Sequence, residues 1–388
     1  MAPKKKPEIE EKDLQGFKYF RDIEKILSRL HGAGTDRDRA GNRRLFFDHY
    51  AGLLLVYFFN PILTSLRGIQ QASELKKVQR ALGCSRASLG SLSEAVQVFD
   101  PEMLRQIVRE LAIQVPRTTD GVNPKALEGL TAVDGTLLPA LSKMAWALWT
   151  DDQHRAAKMH LALDVFRWAP VNATLTEGNG SEKGQLRLVL ERGRLYVTDR
   201  GYAEYALFQE IVTAGSSFIC RIKENAVWRL VEEREVTAEA KAAGVRRDLV
   251  VWLGCEKSGA ALKQPVRVVE VATGKTDEKG NPEVLLLATN RLDLSADLVA
   301  LGYRYRWTVE LFFRWFKAIL GYRHLLSHSR EGVAIQAYVA LIASLLISIW
   351  TGRKPTKRTF EMICLFFAGW ADDEELLAHI AQLEEYNQ

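Results

Sequence analysis

Three short stretches carry residues able to do chemistry: LTAVDGT around Asp134, RLYVTDRG around Asp199, and YRYRWTVELFFRWFK from Tyr303 to Lys317. Asp134 follows an apolar run and precedes Gly135-Thr136, so it is expected at the end of a buried strand, where the chain turns. Asp199 has the same setting, ahead of Arg200-Gly201-Tyr202. A carboxylate is costly inside a sheet but tolerable at a strand's C-terminal edge, where loops form a cleft. If the two strands are neighbours, the carboxylates meet and repel unless a divalent cation lies between them. Hard oxygen ligands suit Mg²⁺ or Mn²⁺. A pair of plain turn aspartates is the alternative, since Asp-Gly and Asp-Arg-Gly are good turn chemistry.

The third stretch sets arginines, a glutamate and a lysine among seven aromatic residues. On a helical wheel of about 100° per residue, Tyr303, Arg306, Glu310 and Lys317 share one stripe roughly 60° wide. Leu311, Phe312, Phe313, Trp315, Phe316, Ile319 and Leu320 cover the remaining faces. The pattern predicts a helix packed on most sides, with Glu310 as a third metal-binding carboxylate and Arg306 and Lys317 beside it for phosphate. A solvated stripe held by an Arg306–Glu310 pair at i,i+4 is the bland reading.

The elements that must position these groups change character along the chain. Up to about residue 115 the apolar stripes are helical. Glu74–Val96 has a helix-turn-helix layout, with Gly83 as C-cap of the first helix and Ser85 as N-cap of the second. Arg67, Lys76, Lys77, Arg80 and Arg86 give this region a basic balance that fits DNA contact or a solvated helical hairpin equally. From about 125 to 222 the runs read β-β-β-α-β-α-β, an α/β pattern with a central sheet. Residues 224–282 are expected to form a β-rich insertion, and Ser295 to cap the helix carrying the third stretch. Lys158 and His160, on the second strand, are candidates to line the cleft; a surface lysine and a core histidine fit as well.

Composition excludes several classes. A hydrophobic fraction of 47% and a charged fraction of 26% are those of a globular protein, and the net charge of +5 is compatible with nucleic acid without requiring it. Cys84, Cys220, Cys255 and Cys364 are far apart with no CxxC pair, which speaks against a zinc site and a disulfide framework. The N-terminus, with Lys4, Lys5 and Lys6, has charges where a secretion signal needs an apolar core. Ala334–Trp350 is apolar but short for a membrane span and carries Gln336, Ser344 and Ser348, so a buried core helix is expected.

Asp134-Gly135-Thr136, Asp199-Arg200-Gly201-Tyr202 and the pattern Y-x2-R-x3-E-x6-K, met by Tyr303, Arg306, Glu310 and Lys317, resemble the DDE transposases of insertion sequences. The last pattern is the signature of the insertion-sequence family numbered four, to which the Tn-five transposase belongs. The resemblance covers about residues 125 to 350 and implies an RNase H-like catalytic core with a β-rich insertion between the second Asp and the Glu. The core is expected at 121–350; the all-helical N-terminal domain at 1–120, with possible DNA binding, matches no family motif and rests on periodicity, composition and the Gly83–Ser85 turn, and a helical C-terminal region follows at 351–388. The implied chemistry is cleavage at element ends and joining of the 3′-OH ends to target DNA by two Mg²⁺ or Mn²⁺ ions on Asp134, Asp199 and Glu310. Tyr303, Arg306, Lys317 and Trp307 would contact DNA. Trp228 or Trp252, in the insertion, would stack on a flipped base. Arg323, Arg330, Arg353, Lys354, Lys357 and Arg358 either track the duplex or form an ordinary basic surface. The implied partners are double-stranded DNA and a second copy of the chain, in a prokaryotic cytoplasm at the nucleoid and without a membrane; the acidic, amphipathic C-terminal tail fits a helix that pairs subunits or an ordinary solvated helix. A nuclease on the same core and a domesticated, non-cutting DNA-binding protein are the rival readings; the complete carboxylate set argues against the second.

Overall fold

The computed structural model of the protein describes residues 25–33, 42–60, 62–117, 125–139, 144, 146–147, 156–255, 260–276, 280, 282–321 and 325–383. Lys4, Lys5, Lys6, Arg323 and the expected boundary near residue 120 lie outside the described residues.

Before residue 118 the described elements are helices: α1 (Phe47–Phe59), α2 (Leu66–Ser73), α3 (Lys76–Leu82), α4 (Leu89–Val98) and α5 (Pro101–Gln114). α3 ends at Gly83, whose φ of 61° is the left-handed cap that glycine adopts without strain. The second helix of the pair starts later than expected. Ser88, not Ser85, caps α4 by accepting from the Ser91 N–H. The Ala87 N–H donates to Ser73 Oγ at 3.0 Å, which ties the chain to α2 and keeps residues 85–87 out of the helix.

The expected β-β-β-α-β-α-β order is present as β1 (Leu130–Pro139), β2 (Ala156–Asp164), β3 (Ala169–Glu177), α6 (Glu182–Leu188), β4 (Leu195–Thr198), α7 (Tyr205–Thr213) and β5 (Ser217–Ile222). β1, β2 and β3 pair antiparallel, whereas β4 runs parallel to both β1 and β5. The following block contributes β6 (Trp228–Arg234), α8 (Ala238–Ala242), β7 (Val245–Cys255), β8 (Ala260–Ala261) and β9 (Val266–Thr276), and β10 (Pro282–Thr289) leads back to β5. These strands do not form a separate sheet. They extend the central one, giving the order β3-β2-β1-β4-β5-β10-β9-β7-β6 in 10 strands, with β8 paired to β7. The chain closes with α9 (Ala296–Arg304), α10 (Trp307–Gly321), α11 (Arg330–Thr351), α12 (Lys357–Phe367) and α13 (Asp373–Ala381).

Alternation along the strands divides the core in two. Leu130 and Ala132 of β1 and Leu195 and Val197 of β4 face the layer of α9, α10 and α11. Val133, Tyr196 and Phe218 face α6 and α7. α11 has 22 residues, longer than the apolar run suggested, and by length and composition alone it could cross a membrane. Yet 94% of its most apolar window is buried inside the protein. Two of its buried polar groups are paired there. Gln336 Oε1 accepts from the Leu326 N–H at 2.9 Å and Ser344 Oγ accepts from Trp315 Nε1 at 2.6 Å. Cys84 and Cys220 are buried thiols outside any disulfide.

Candidate active site

The two aspartates come together by register. β1 and β4 pair in parallel up to Ala132 opposite Val197, so two residues further on Asp134 stands beside Asp199. Asp199 ends its strand as expected, and its Oδ1 accepts from the Gly201 N–H at 2.8 Å, opening a short 3₁₀ turn at Arg200–Tyr202. Asp134 differs from expectation. It lies inside β1, which runs on to Pro139 because the β2 hairpin continues to pair with it. It is β4 that stops, and Asp134 is the first outward-facing β1 residue beyond β4's ladder on the α10 side. Its Oδ1 accepts from the Gly135 N–H at 2.8 Å.

The helix expected over the whole third stretch is broken. α9 ends at Arg304 and α10 begins at Trp307, the two joined by a tight turn in which the Arg306 N–H reaches Tyr303 O and the Thr308 N–H reaches Tyr305 O, both at 3.0 Å. These i→i+3 bonds tighten the chain and interrupt the α-helical ladder. Ser295 precedes α9, but its hydroxyl makes no capping bond. α9 lies close on the sheet because Gly302 has no side chain: a Cβ there would meet Ile219 Cδ1 at 2.8 Å. That approach brings Arg306 within 3.9 Å of Asp134, inside β1, with Tyr303 and Glu310 beside it. The apolar faces of α10 pack as expected except at Leu311, which is 37% exposed.

Arg306 bridges the site. Its guanidinium lies 2.8 Å from Glu310 Oε1 and 3.9 Å from Asp134 Oδ2, and it is 5.9 Å from both the Tyr303 and Trp307 ring centroids. Even so, the Asp134 carboxyl is pushed up to about 6. Burial is the largest cause, the charges of Asp199 and Glu182 add to it, and the Gly135 N–H and Arg306 oppose it. Tyr303 is raised by burial, against Arg306 and Arg221. The site thus concentrates carboxylates beyond what one guanidinium offsets, and its oxygen donors fit a hard divalent cation. The three carboxylates do not converge within 4.8 Å of one another: among the described residues the one His/Cys/Asp/Glu group that does lies in the N-terminal helices.

Other expected residues fall elsewhere. Lys317 is exposed on α10 and makes no ion pair among the described residues; partial burial lowers its pKa. Trp307 is 48% exposed and has the Arg314 guanidinium 5.9 Å from its ring. His160 is a core residue, its Nε2 2.8 Å from Thr176 Oγ1, and burial pushes it down to about 4 with help from Lys158. Lys158 pairs with Glu182 at 3.2 Å on the α6 side of the sheet. Trp228 and Trp252 point to opposite faces, since Trp228 sits across from Leu253 and Trp252 across from Arg229. Trp228 packs partly into the core. Arg86 pairs with Glu74, whereas Arg67, Lys76, Lys77 and Arg80 make no ion pair among the described residues. Arg330 and Arg353 donate to backbone carbonyls, Lys357 and Arg358 pair with Glu361, and Lys354 lies over the Trp168 ring.

Sequence reasoning missed Glu182 and Arg221. A Cβ on Gly135 would meet Glu182 Oε1 at 2.9 Å, so this fourth carboxylate touches the strand next to Asp134. The available signal was Gly135 itself, a strand glycine marking a close approach. Arg221 follows the buried run of β5, and its charge reaches Tyr303.

The family model described as the transposase DDE domain matches residues 125–346. A putative transposase of Sinorhizobium fredii, y4zB, is 29% identical over 222 residues, 57% of this chain and 60% of that protein, so the chain spans about 60% of that relative's length. A probable transposase for the insertion sequence element IS5377 of Geobacillus stearothermophilus is 24% identical over 267 residues, 67% of this chain and 68% of that protein. Among solved structures, the piggyBac transposase synaptic complex with hairpin DNA aligns with a TM-score of 0.43 at 12% identity, covering 93% of this chain and 83% of that one.

Proposed function

The chain belongs to the transposase DDE domain family, and on that footing we propose that it cuts DNA at the ends of an insertion sequence and joins the freed 3′-OH ends to target DNA. The observation that carries this is the register that sets Asp134 beside Asp199 where β4 ends, with Glu310 linked to Asp134 through Arg306 and the Asp134 carboxyl pushed up to about 6 by burial and neighbouring charge. We place these three as the metal ligands of an RNase H-like core at 121–350. Two Mg²⁺ or Mn²⁺ ions, when bound, supply the charge that polarises a scissile phosphate and activates water.

The chain's own groups do the positioning. Arg306 is half-buried and fork-shaped, suited to bidentate contact with a phosphate once it turns from Glu310. The Tyr303 phenol lies beside it as a neutral donor, burial having raised its pKa. Lys317, exposed seven residues beyond Glu310, serves as a point charge for a backbone phosphate, and exposed Trp307 offers a face to DNA. Trp252, turned away from the face on which Trp228 packs, is our choice for stacking on a displaced base. The helical region 1–120 then contacts duplex DNA, and 351–388 supports pairing of two copies at the nucleoid.

The test is incubation of the purified chain with a labelled element end and Mg²⁺. We expect 3′-OH nicks that Asp134→Ala, Asp199→Ala and Glu310→Ala each reduce by about 1000-fold or more, the scale of losing a catalytic metal's ligand. Cleavage that survives the Glu310 change overturns its assignment as third ligand.

A further inference from the structure

Outside the residues matched by the transposase family model, His31, Asp48 and His49 each offer a ligand atom, and these lie within 4.8 Å of one another. His31 Nδ1 is 2.9 Å from Asp48 Oδ2, and His49 Nε2 is 3.8 Å from the same oxygen. A tetrahedral zinc with bonds of about 2.0–2.1 Å separates its ligands by about 3.4 Å, and these two distances bracket that edge. The rings are already set: His31 stacks on Phe46 at 4.0 Å and 15°, and meets His49 edge-on at 5.3 Å and 76°.

A simple His31–Asp48 hydrogen bond leaves too much unsatisfied to account for the group. His49 is 8% exposed, its Nδ1 is buried without a hydrogen-bond partner, and its Nε2 at 3.8 Å is beyond hydrogen-bond reach of Asp48. Asp48 Oδ1 is likewise buried without a partner. Buried polar groups left short of partners are costly, and a cation held here would give His49 Nε2 and the Asp48 carboxylate a common partner.

We propose that His31, Asp48 and His49 form a zinc-binding site that fastens residues 25–33 to the first turn of α1. Two imidazoles and one carboxylate select zinc over magnesium, which separates this site chemically from the all-oxygen cluster of Asp134, Asp199 and Glu310. The His31 side chain is 49% exposed, so the site has an approach from solvent and room for water as a fourth ligand. Because His31 and the Asp48–His49 pair come from separate segments, binding couples to the ordering of the N-terminal helices.

The experiment uses the full chain stripped with a chelator and titrated calorimetrically with zinc chloride, with thermal unfolding followed in parallel. One equivalent of zinc is expected to bind and raise the melting temperature, unaffected by millimolar Mg²⁺. His31→Ala, Asp48→Asn and His49→Ala should each weaken zinc by about 100-fold or more, while Asp134→Ala leaves the stoichiometry at one. If His49→Ala fails to fold, His31→Ala decides, since its side chain is largely solvated and circular dichroism verifies its fold. A folded chain that binds no zinc, or one whose zinc affinity is unchanged in His31→Ala, overturns the proposal. Neither result bears on cleavage by the carboxylate cluster.

Discussion

Of the places where this protein brings a carboxylate against an arginine, two are built to opposite ends. In the β7–β9 ladder, Arg267 and Asp248 are 3–4% exposed, and the guanidinium meets the carboxylate through two bonds of 2.6 and 2.5 Å while a third donor reaches the Leu294 carbonyl. Each charge there has its full set of partners. Where β4 ends beside β1, one guanidinium serves Glu310 closely and Asp134 at 3.9 Å, with Asp199 and Glu182 adding further negative charge. A satisfied pair fixes a register; an undersatisfied cluster retains free energy of interaction for something that arrives later. The two also differ in access: the side chains of Arg306, Asp134 and Glu310 are 17%, 23% and 28% exposed against 3–4% for the Arg267–Asp248 pair. Access and the balance of partners together separate them.

Removing one side of the satisfied pair should have the largest effect. Arg267→Ala leaves Asp248 charged in the core, and we expect a loss of about 3–5 kcal/mol in urea unfolding. The double change Arg267→Met with Asp248→Leu should recover most of it, as both charges go together. If Arg267→Ala costs less than about 1 kcal/mol, the pair is solvated and the contrast fails.

The opposite sign is expected at the carboxylate cluster. The Asp134 carboxyl titrates near 6 in the folded chain against 3.8 ordinarily, so between these values the folded protein holds a proton that the unfolded chain has released. Without divalent cation, stability therefore falls as pH rises through that window. Asp134→Asn should remove this slope and stabilise the chain at pH 7 by roughly 1–3 kcal/mol, measured by urea unfolding in chelator. Mg²⁺ affinity should move the other way, rising from pH 4 to pH 7 because the cation requires the carboxylate. A pH-independent difference between the two proteins would place Asp134 in solvent.

The smallest effect is expected at Arg306, which belongs to the undersatisfied side but is not one of the proposed ligands. Arg306→Ala should leave Mg²⁺ binding, followed calorimetrically, within about threefold while lowering strand transfer about tenfold, the scale of one charge-assisted contact. Equal strand transfer in the variant would remove its phosphate role. Loss of Mg²⁺ binding would instead make Arg306 necessary for holding the carboxylates in place.

Much of this organisation is legible in the chain itself. The α/β order, the two strand-associated aspartates, the Gly83 cap and the packed faces of α10 all follow from local periodicity and turn chemistry, which act over a few residues. What failed locally failed for nonlocal reasons. Ser85 cannot start α4 because Ser73, on another helix, holds Ala87. Asp134 does not end its strand because β2 pairs on beyond it. The wheel over Tyr303–Lys317 assumed one helix, and the turn at Arg306 breaks it, while Lys317 extends to the surface. Sequence alone determined which residue types were available and which strands and helices would carry them. Only the tertiary structure decided that Asp134 and Asp199 share a register, that Gly302 lets Arg306 and Glu310 come down upon them, and that Glu182 joins from the other face. Those are distances between segments far apart in the chain, set by strand pairing and close packing rather than by any local pattern.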